Sequence, residues 1–200
     1  MIMQIGTVPI YSGQVTNFKK HLDLLKPYIG DDSYWHQTSD WISKTISTID
    51  HDKNYELPWN IILNDLEPHI NDYLSIFKPV KPFTFESRPW LNKYEKGEWQ
   101  EQHNHIGATS HFSLAYILDS QGQENFVFQD SPGNWFDPLR ELHLIFENWP
   151  KRSFIPKQQD GTILIFPAST DHFVTPNQSS GRRITASANI HITGNNNDRN

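Results

Sequence analysis

Two stretches in the first third of the chain repeat apolar residues at three- and four-residue steps. In TNFKKHLDLLKPYI the set is Phe18, Leu22, Leu25 and Ile29, and in PWNIILNDLEPHINDYLSIF it is Ile61, Leu66, Ile70 and Leu74. That spacing places each set on one side of a helix. Pro68 removes a backbone donor and is expected to kink or divide the second helix. The segment between them, GDDSYWHQTSDWISKTISTIDHDKNYE, is polar and rich in turn formers, with a short helix expected around Trp41 to Ile46. From Pro82 onward the pattern changes. FTFESRPWLNKY, HFSLAYIL, NFVFQD, GTILIFP, HFVT and RRITASANIHIT are short β-branched and aromatic runs bounded by Gly, Pro, Asn and Asp, which predicts strands.

Helices first and short strands afterwards predict an α+β chain. Its core is expected to be a sandwich or a jelly roll (double-stranded β-helix), with an N-terminal helical segment packed on the sheet. We read one domain, with 1–80 as helical support, 81–192 as the jelly-roll core and 193–200 as a frayed tail. The segment 131–154 interrupts the strands with three prolines and two tryptophans. A loop of that length is a candidate lid over the mouth of the roll, with a structural insertion as the alternative.

The last strand shows the cleanest alternation. Ile184, Ala186, Ala188, Ile190 and Ile192 fall on one face, and Arg183, Thr185, Ser187, Asn189 and His191 on the other. One face is therefore expected on the core, and the polar face on solvent or a pocket. Arg182 lies in line with the apolar set and is expected to point away at the strand's entry. Arg183 with the Thr185 hydroxyl two residues on can hold a carboxylate through a bidentate fork and one extra hydrogen bond. A surface salt bridge is the alternative for Arg183.

Composition narrows the chemistry. The chain has 200 residues, no cysteine and ten histidines, so a transition-metal site has to be built from imidazole and carboxylate. The formal charge of -6 argues against nucleic acid as a partner. No run approaches the about 20 apolar residues of a membrane span, and the first residues lack the features of a secretory signal. A cytoplasmic protein without a membrane partner is expected.

EQHNHIG, residues 101–107, holds His103 and His105. If 98–106 is a strand, Glu101, His103 and His105 share one face, while Gln102 and Asn104 face away. An exposed polar strand would show the same pair. The third histidine is His172, in FPASTDHFVTPN, just after an apolar run. A jelly roll sets an early strand beside a late one, so His103, His105 and His172 can converge at its mouth.

These parts together resemble the Fe(II)/2-oxoglutarate-dependent oxygenases, in the branch near the prolyl 4-hydroxylases. YEKGEWQEQHNH resembles that family's approach to its first metal motif, FSLAYIL its next strand, and GTILIFPASTDHFVTPNQSSGRRITASANI its closing section. The likeness extends to uncharacterised oxygenases of bacteria and phages that carry His-x-His where relatives have His-x-Asp. A phage-infected host cell is therefore one setting for the protein. The resemblance implies His103 and His172 as Fe(II) ligands and Arg183 as the residue that binds the far carboxylate of 2-oxoglutarate. Tyr116, Thr185 and Asn189 are further candidates for that cosubstrate.

His105 stands in the carboxylate's place and is favoured as the third ligand. Glu101, on the same expected face, is the substitute, while Asp171 should point away from His172. The implied reaction couples dioxygen and 2-oxoglutarate to hydroxylation of a small-molecule or peptide substrate. Two other functions fit the residues: a cupin-like three-histidine metal enzyme without 2-oxoglutarate, and a non-catalytic jelly-roll binding module. Oligomeric state is left open.

Overall fold

The computed structural model describes residues 8–129 and 153–194. The expected lid, 131–154, lies outside the described residues except for its last two positions. So do residues 195–200 of the expected tail.

The long closing strand organises the rest. β11 (Arg183–Gly194) is hydrogen-bonded along both edges. On one side it pairs with β4 (Phe83–Tyr94), from Arg183↔Tyr94 to Gly194↔Phe83 without a break. On the other it pairs with β6 (Phe112–Asp119), from Ile184↔Asp119 to Ile190↔Phe112. The large sheet continues beyond β6 through β9 (Thr162–Pro167) to β1 (Tyr11–Gln14). Beyond β4 it continues through β3 (Ile46–Ser47) to β2 (His36–Gln37). A smaller sheet has the order β5 (Gln100–His103), β10 (His172–Val174), β7 (Phe126–Gln129) and β8 (Ser153–Phe154). The paired strands run antiparallel, and the two sheets form the expected jelly roll.

Alternation along the strands builds two cores. Ile184, Ala186, Ala188 and Ile190 of β11 join Leu114, Tyr116 and Leu118 of β6 and Ile163 and Ile165 of β9 on the outer face of the large sheet. There they meet Leu25 of α1 (Phe18–Ile29) and Ile62, Leu66, Ile70 and Leu74 of α2 (Trp59–Ser75). The intervening residues Ala115, Leu164 and Phe166 turn inward and pack with Tyr94, Phe126, Phe128 and Val174 between the sheets. β9 is buried on both faces, which accounts for the unbroken apolar run TILIF. A polar clasp fastens the helices to the sheet. His21 of α1, fully buried, bonds Tyr116 Oη through Nδ1 at 2.9 Å and Asp65 Oδ2 of α2 through Nε2 at 2.8 Å.

Three local expectations need correction. α2 runs through Pro68 as one helix. Pro68 is exposed, so the carbonyl it leaves unpaired one turn back is on the solvent side, where water can satisfy it. The buried stripe of that helix runs through Trp59, Ile62, Leu66 and Ile70, and Ile62 is 0% exposed whereas Ile61 is 36% exposed. No helix forms at 41–46. The backbone N–H groups of Ile42 and Ser43 donate to the Glu101 carboxylate, and Thr45 Oγ1 donates to the Trp99 carbonyl. The segment is thereby held against β5 and leads into β3, so the N-terminal region supplies strands as well as helices.

The two neighbouring isoleucines give a direct test of the core. Ile62→Ala is expected to cost about 2–5 kcal/mol of unfolding free energy, and Ile61→Ala less than about 1 kcal/mol. Urea denaturation of the two variants reads both numbers.

Candidate metal centre

β5 and β10 bring the first pair of histidines together. His103 is the last residue of β5, His172 the first of β10, and the two are directly opposed in the ladder. The strand expected to run through 98–106 stops at His103. His105 lies beyond it, at φ −114° and ψ 22°, where it caps the short 3-10 turn Ile106–Ala108. Its N–H donates to the Ala168 carbonyl at 2.8 Å, and this turn, rather than strand alternation, directs its ring inward. One nitrogen from each of His103, His105 and His172 lies within 4.8 Å of the other two.

The hydrogen bonds of these rings show which nitrogen is free. His103 Nδ1 is 2.8 Å from the Glu101 carbonyl, His172 Nδ1 is 2.9 Å from the Thr170 carbonyl, and His105 Nδ1 is 2.6 Å from Asn189 Oδ1. Each partner is an oxygen acceptor, so Nδ1 carries the proton and Nε2 keeps its lone pair. Imidazoles that ligate metals are fastened through the other nitrogen in this way. Burial pushes all three below the usual histidine pKa: His103 is lowered, His105 falls to about 4, and His172 lies well down. They are neutral near pH 7, as metal ligands must be. Aromatic rings fix their planes, with Trp90 stacked on His105 and Phe126 on His172.

The carboxylates near the cluster are committed elsewhere. Glu101 accepts from the N–H groups of Ile42 at 2.8 Å and Ser43 at 3.2 Å. Asp171 accepts from the side chains of Gln102 and Asn104. Neither belongs to the converging group. His105, and not Glu101, is in that group.

The cluster opens on a cavity of about 510 Å³ between the sheets. Thr185, Ser187 and Asn189 of β11 line it, as the alternation requires, with Trp90, Asn92 and Tyr94 from β4. Arg183 begins the same face. It is 0% exposed, and among the described residues none of its three guanidinium nitrogens has a partner at good hydrogen-bond geometry, the Tyr94 hydroxyl being the polar group beside it. Its guanidinium carbon is 5.2 Å from the centre of the Tyr94 ring. Burial lowers its pKa, with Tyr94 opposing the shift. A cation stripped of water and given no counter-charge costs several kcal/mol, so this arrangement is suited to an anion supplied from outside the chain. Arg182, as expected, points away and pairs with Glu95 at 2.7 Å.

One cosubstrate candidate is placed differently from expectation. Tyr116 lies on the opposite face of β6, in the helix-side core, with its hydroxyl against His21. Ala115 is the β6 residue of that pair on the cavity side. Asn189 lines the cavity, but its oxygen is occupied by His105 and by Ser113 Oγ at 3.2 Å. The tyrosine beside Arg183 is Tyr94, whose hydroxyl donates to Gln100 Oε1 at 3.0 Å. It opens the motif YEKGEWQEQHNH, and its signal is positional, since the β4–β11 register sets it opposite Arg183.

A search of curated protein sequences returns no match. The family model described as "Putative 2OG-Fe(II) oxygenase" matches residues 88–189, more than half of the chain. The protein belongs to the 2OG-Fe(II) oxygenases. Fe(II) and 2-oxoglutarate are thus the metal and cosubstrate of this oxygenase, and the histidine cluster and the unpaired Arg183 suit them. Solved structures share the fold at low identity. HygX from Streptomyces hygroscopicus, solved with nickel and 2-oxoglutarate bound, aligns with a TM-score of 0.62 at 11% identity over 92% of this chain and 83% of its own. A Pseudomonas putida prolyl-4-hydroxylase gives 0.60 at 11% over 92% and 93%. A prolyl hydroxylase from Trichoplax adhaerens, in complex with a hypoxia inducible factor peptide fragment, gives 0.56 at 10% over 91% and 83%.

Calorimetric titration with Co(II) tests the ligand set. His172→Ala is expected to abolish binding and Glu101→Gln to leave it unchanged. Loss of binding in Glu101→Gln would put that carboxylate among the ligands.

Proposed function

We propose that this oxygenase hydroxylates a peptide side chain or small metabolite, with His103, His105 and His172 holding Fe(II) and Arg183 binding the distal carboxylate of 2-oxoglutarate. The observation that carries the reading is the buried, unpaired Arg183 on the same cavity-facing strand face that supplies the partner of His105. A three-histidine site alone would also suit an enzyme without a cosubstrate. The unpaired cation favours one that brings a dicarboxylate.

When bound, the metal supplies the dioxygen chemistry that couples decarboxylation of 2-oxoglutarate to succinate with oxidation of a substrate C–H bond. The chain's own groups bind, orient and exclude water. Arg183 offers a planar fork to a carboxylate, and the Thr185 hydroxyl, two residues on, adds a hydrogen-bonding group on the same face. The Tyr94 ring packs against the guanidinium and restricts its orientation. Phe126, Phe166 and Val174 form the apolar wall beside the histidines, which keeps water from the reacting atoms. Asp40, Trp41, Ile49 and Asp50 complete the lining, and Asp40 and Asp50 are exposed. They form the part of the wall through which a substrate enters.

Charge and cavity size bear on the substrate class. The net charge of -6 disfavours a polynucleotide. The cavity is within the roughly 300–1,000 Å³ range of small-molecule sites. No helix among the described residues is long and apolar enough to cross a membrane.

Arg183 separates cosubstrate binding from folding. Arg183→Met is expected to weaken 2-oxoglutarate binding by about 2 kcal/mol or more, roughly 30-fold, with Fe(II) binding retained. The same variant should raise the melting temperature of the ligand-free protein, because an apolar side chain replaces an unpaired buried charge. Anaerobic titration and calorimetry read the two effects. Metal uptake with no response to 2-oxoglutarate in the wild type would overturn the cosubstrate assignment.

A further inference from the structure

The three imidazoles reach the centre by different means. His103 and His172 are tied through Nδ1 to main-chain carbonyls two residues back, at Glu101 and Thr170. Any residue at 101 or 170 supplies such a carbonyl. His105 lies past the end of its strand and is tied to a side chain, Asn189 Oδ1, at 2.6 Å from the centre of β11. We propose that Asn189 is a positioning residue that makes His105 a metal ligand, by fixing its ring and the nitrogen that carries its proton. The inference rests on the reading of the three histidines as ligands.

The orientation of one amide decides the outcome. Asn189 presents its oxygen to His105, and the Ser113 hydroxyl donates to that same oxygen from the neighbouring strand at 3.2 Å. Asn189 and Ser113 are directly opposed in the β11–β6 ladder, so the arrangement is built into the sheet. With the amide reversed, its NH2 would donate to Nδ1 and the ring proton would move to Nε2. An Nε2–H would then point at the centre, and a protonated nitrogen has no lone pair to give. Trp90 supplies the remaining restraint, stacked on the His105 ring with centroids 5.9 Å apart and planes 23° apart.

The pairing also explains how a neutral residue works in this position. A carboxylate at 105 would bind metal through its own charge and has no N–H for Asn189 to receive. An imidazole needs an acceptor behind it. Asn189 provides one without adding charge, so the ligand set stays neutral. An aspartate at 189 would place a carboxylate on Nδ1–H and make the ring more basic.

The test uses the full chain and Co(II), followed by calorimetry and by the visible bands of the bound ion, which respond to the number and kind of ligands. Asn189→Leu is expected to weaken Co(II) binding by about 10- to 100-fold and to shift the bands. Asn189→Asp is expected to keep or tighten binding, with a band shift that marks a more basic ligand. His105→Asp in the Asn189→Leu background should recover affinity, since a carboxylate needs no acceptor. Thermal melting of the metal-free variants checks folding, and if Asn189→Leu does not fold, Asn189→Asp decides. Wild-type affinity and bands in Asn189→Asp, or in a folded Asn189→Leu, would overturn the inference while leaving the metal centre intact. Absence of Co(II) binding in the wild type would instead overturn the reading on which it rests.

Discussion

β11 is bound on both edges, and the two-residue period of an extended chain does the rest. With β4 on one side and β6 on the other, the strand cannot rotate or slip to expose its faces differently. Its apolar residues must meet the helices, and its polar residues must meet the space between the sheets. Burial of Ile184, Ala186, Ala188 and Ile190 therefore determines where Arg183, Thr185 and Asn189 go. The hydrophobic packing and the site chemistry are two readouts of one alternation. The clasp of His21, Tyr116 and Asp65 belongs to the helix side of the same arrangement, which is why Tyr116 is structural and Tyr94 borders the cavity.

The electrostatics of the cavity are those of an incomplete assembly. The histidine rings are neutral, and the nearby carboxylates of Glu101 and Asp171 are used to hold the 42–43 segment and the side chains of Gln102 and Asn104. What is left is a buried guanidinium without a well-formed hydrogen bond among the described residues. A metal ion and a dicarboxylate bring charges of opposite sign, the first suited to the neutral imidazoles and the second to the buried guanidinium. Ligands of that kind stabilise the folded state in proportion to their occupancy. The folded state and the loaded state are linked through the same few residues.

Much of this was legible in the residues. β4 matches the run FTFESRPWLNKY from end to end, and the alternation in RITASANIHIT assigned both faces of β11. The three histidines and Arg183 were visible as candidates, His103, His172 and Arg183 from their places on strands, whereas His105 joins the cluster from a turn past the end of its strand. The failures share a cause, which is that they depend on contacts distant in sequence. Trp41 to Ile46 lost its helix to a carboxylate at 101. Ile61 lost its place to Ile62 because tertiary packing selected the stripe. Tyr116 sits one residue away from the cavity face of its strand, and no pattern in FSLAYIL, apolar on both faces, could tell which parity faces in. Asn189 was visible as a polar residue beside a pocket, but its pairing with His105 required the sheet register.

The unbroken β4–β11 ladder has a consequence for how this sequence can change over time. Substitution within 183–194 trades one side chain for another, while loss or gain of a single residue exchanges the two faces beyond that point. Arg183 or Asn189 would then be driven among the helices and an isoleucine toward the metal. Length variation is therefore expected in the connections around this strand rather than within it. The strand itself can diverge widely in identity while its residue count stays fixed.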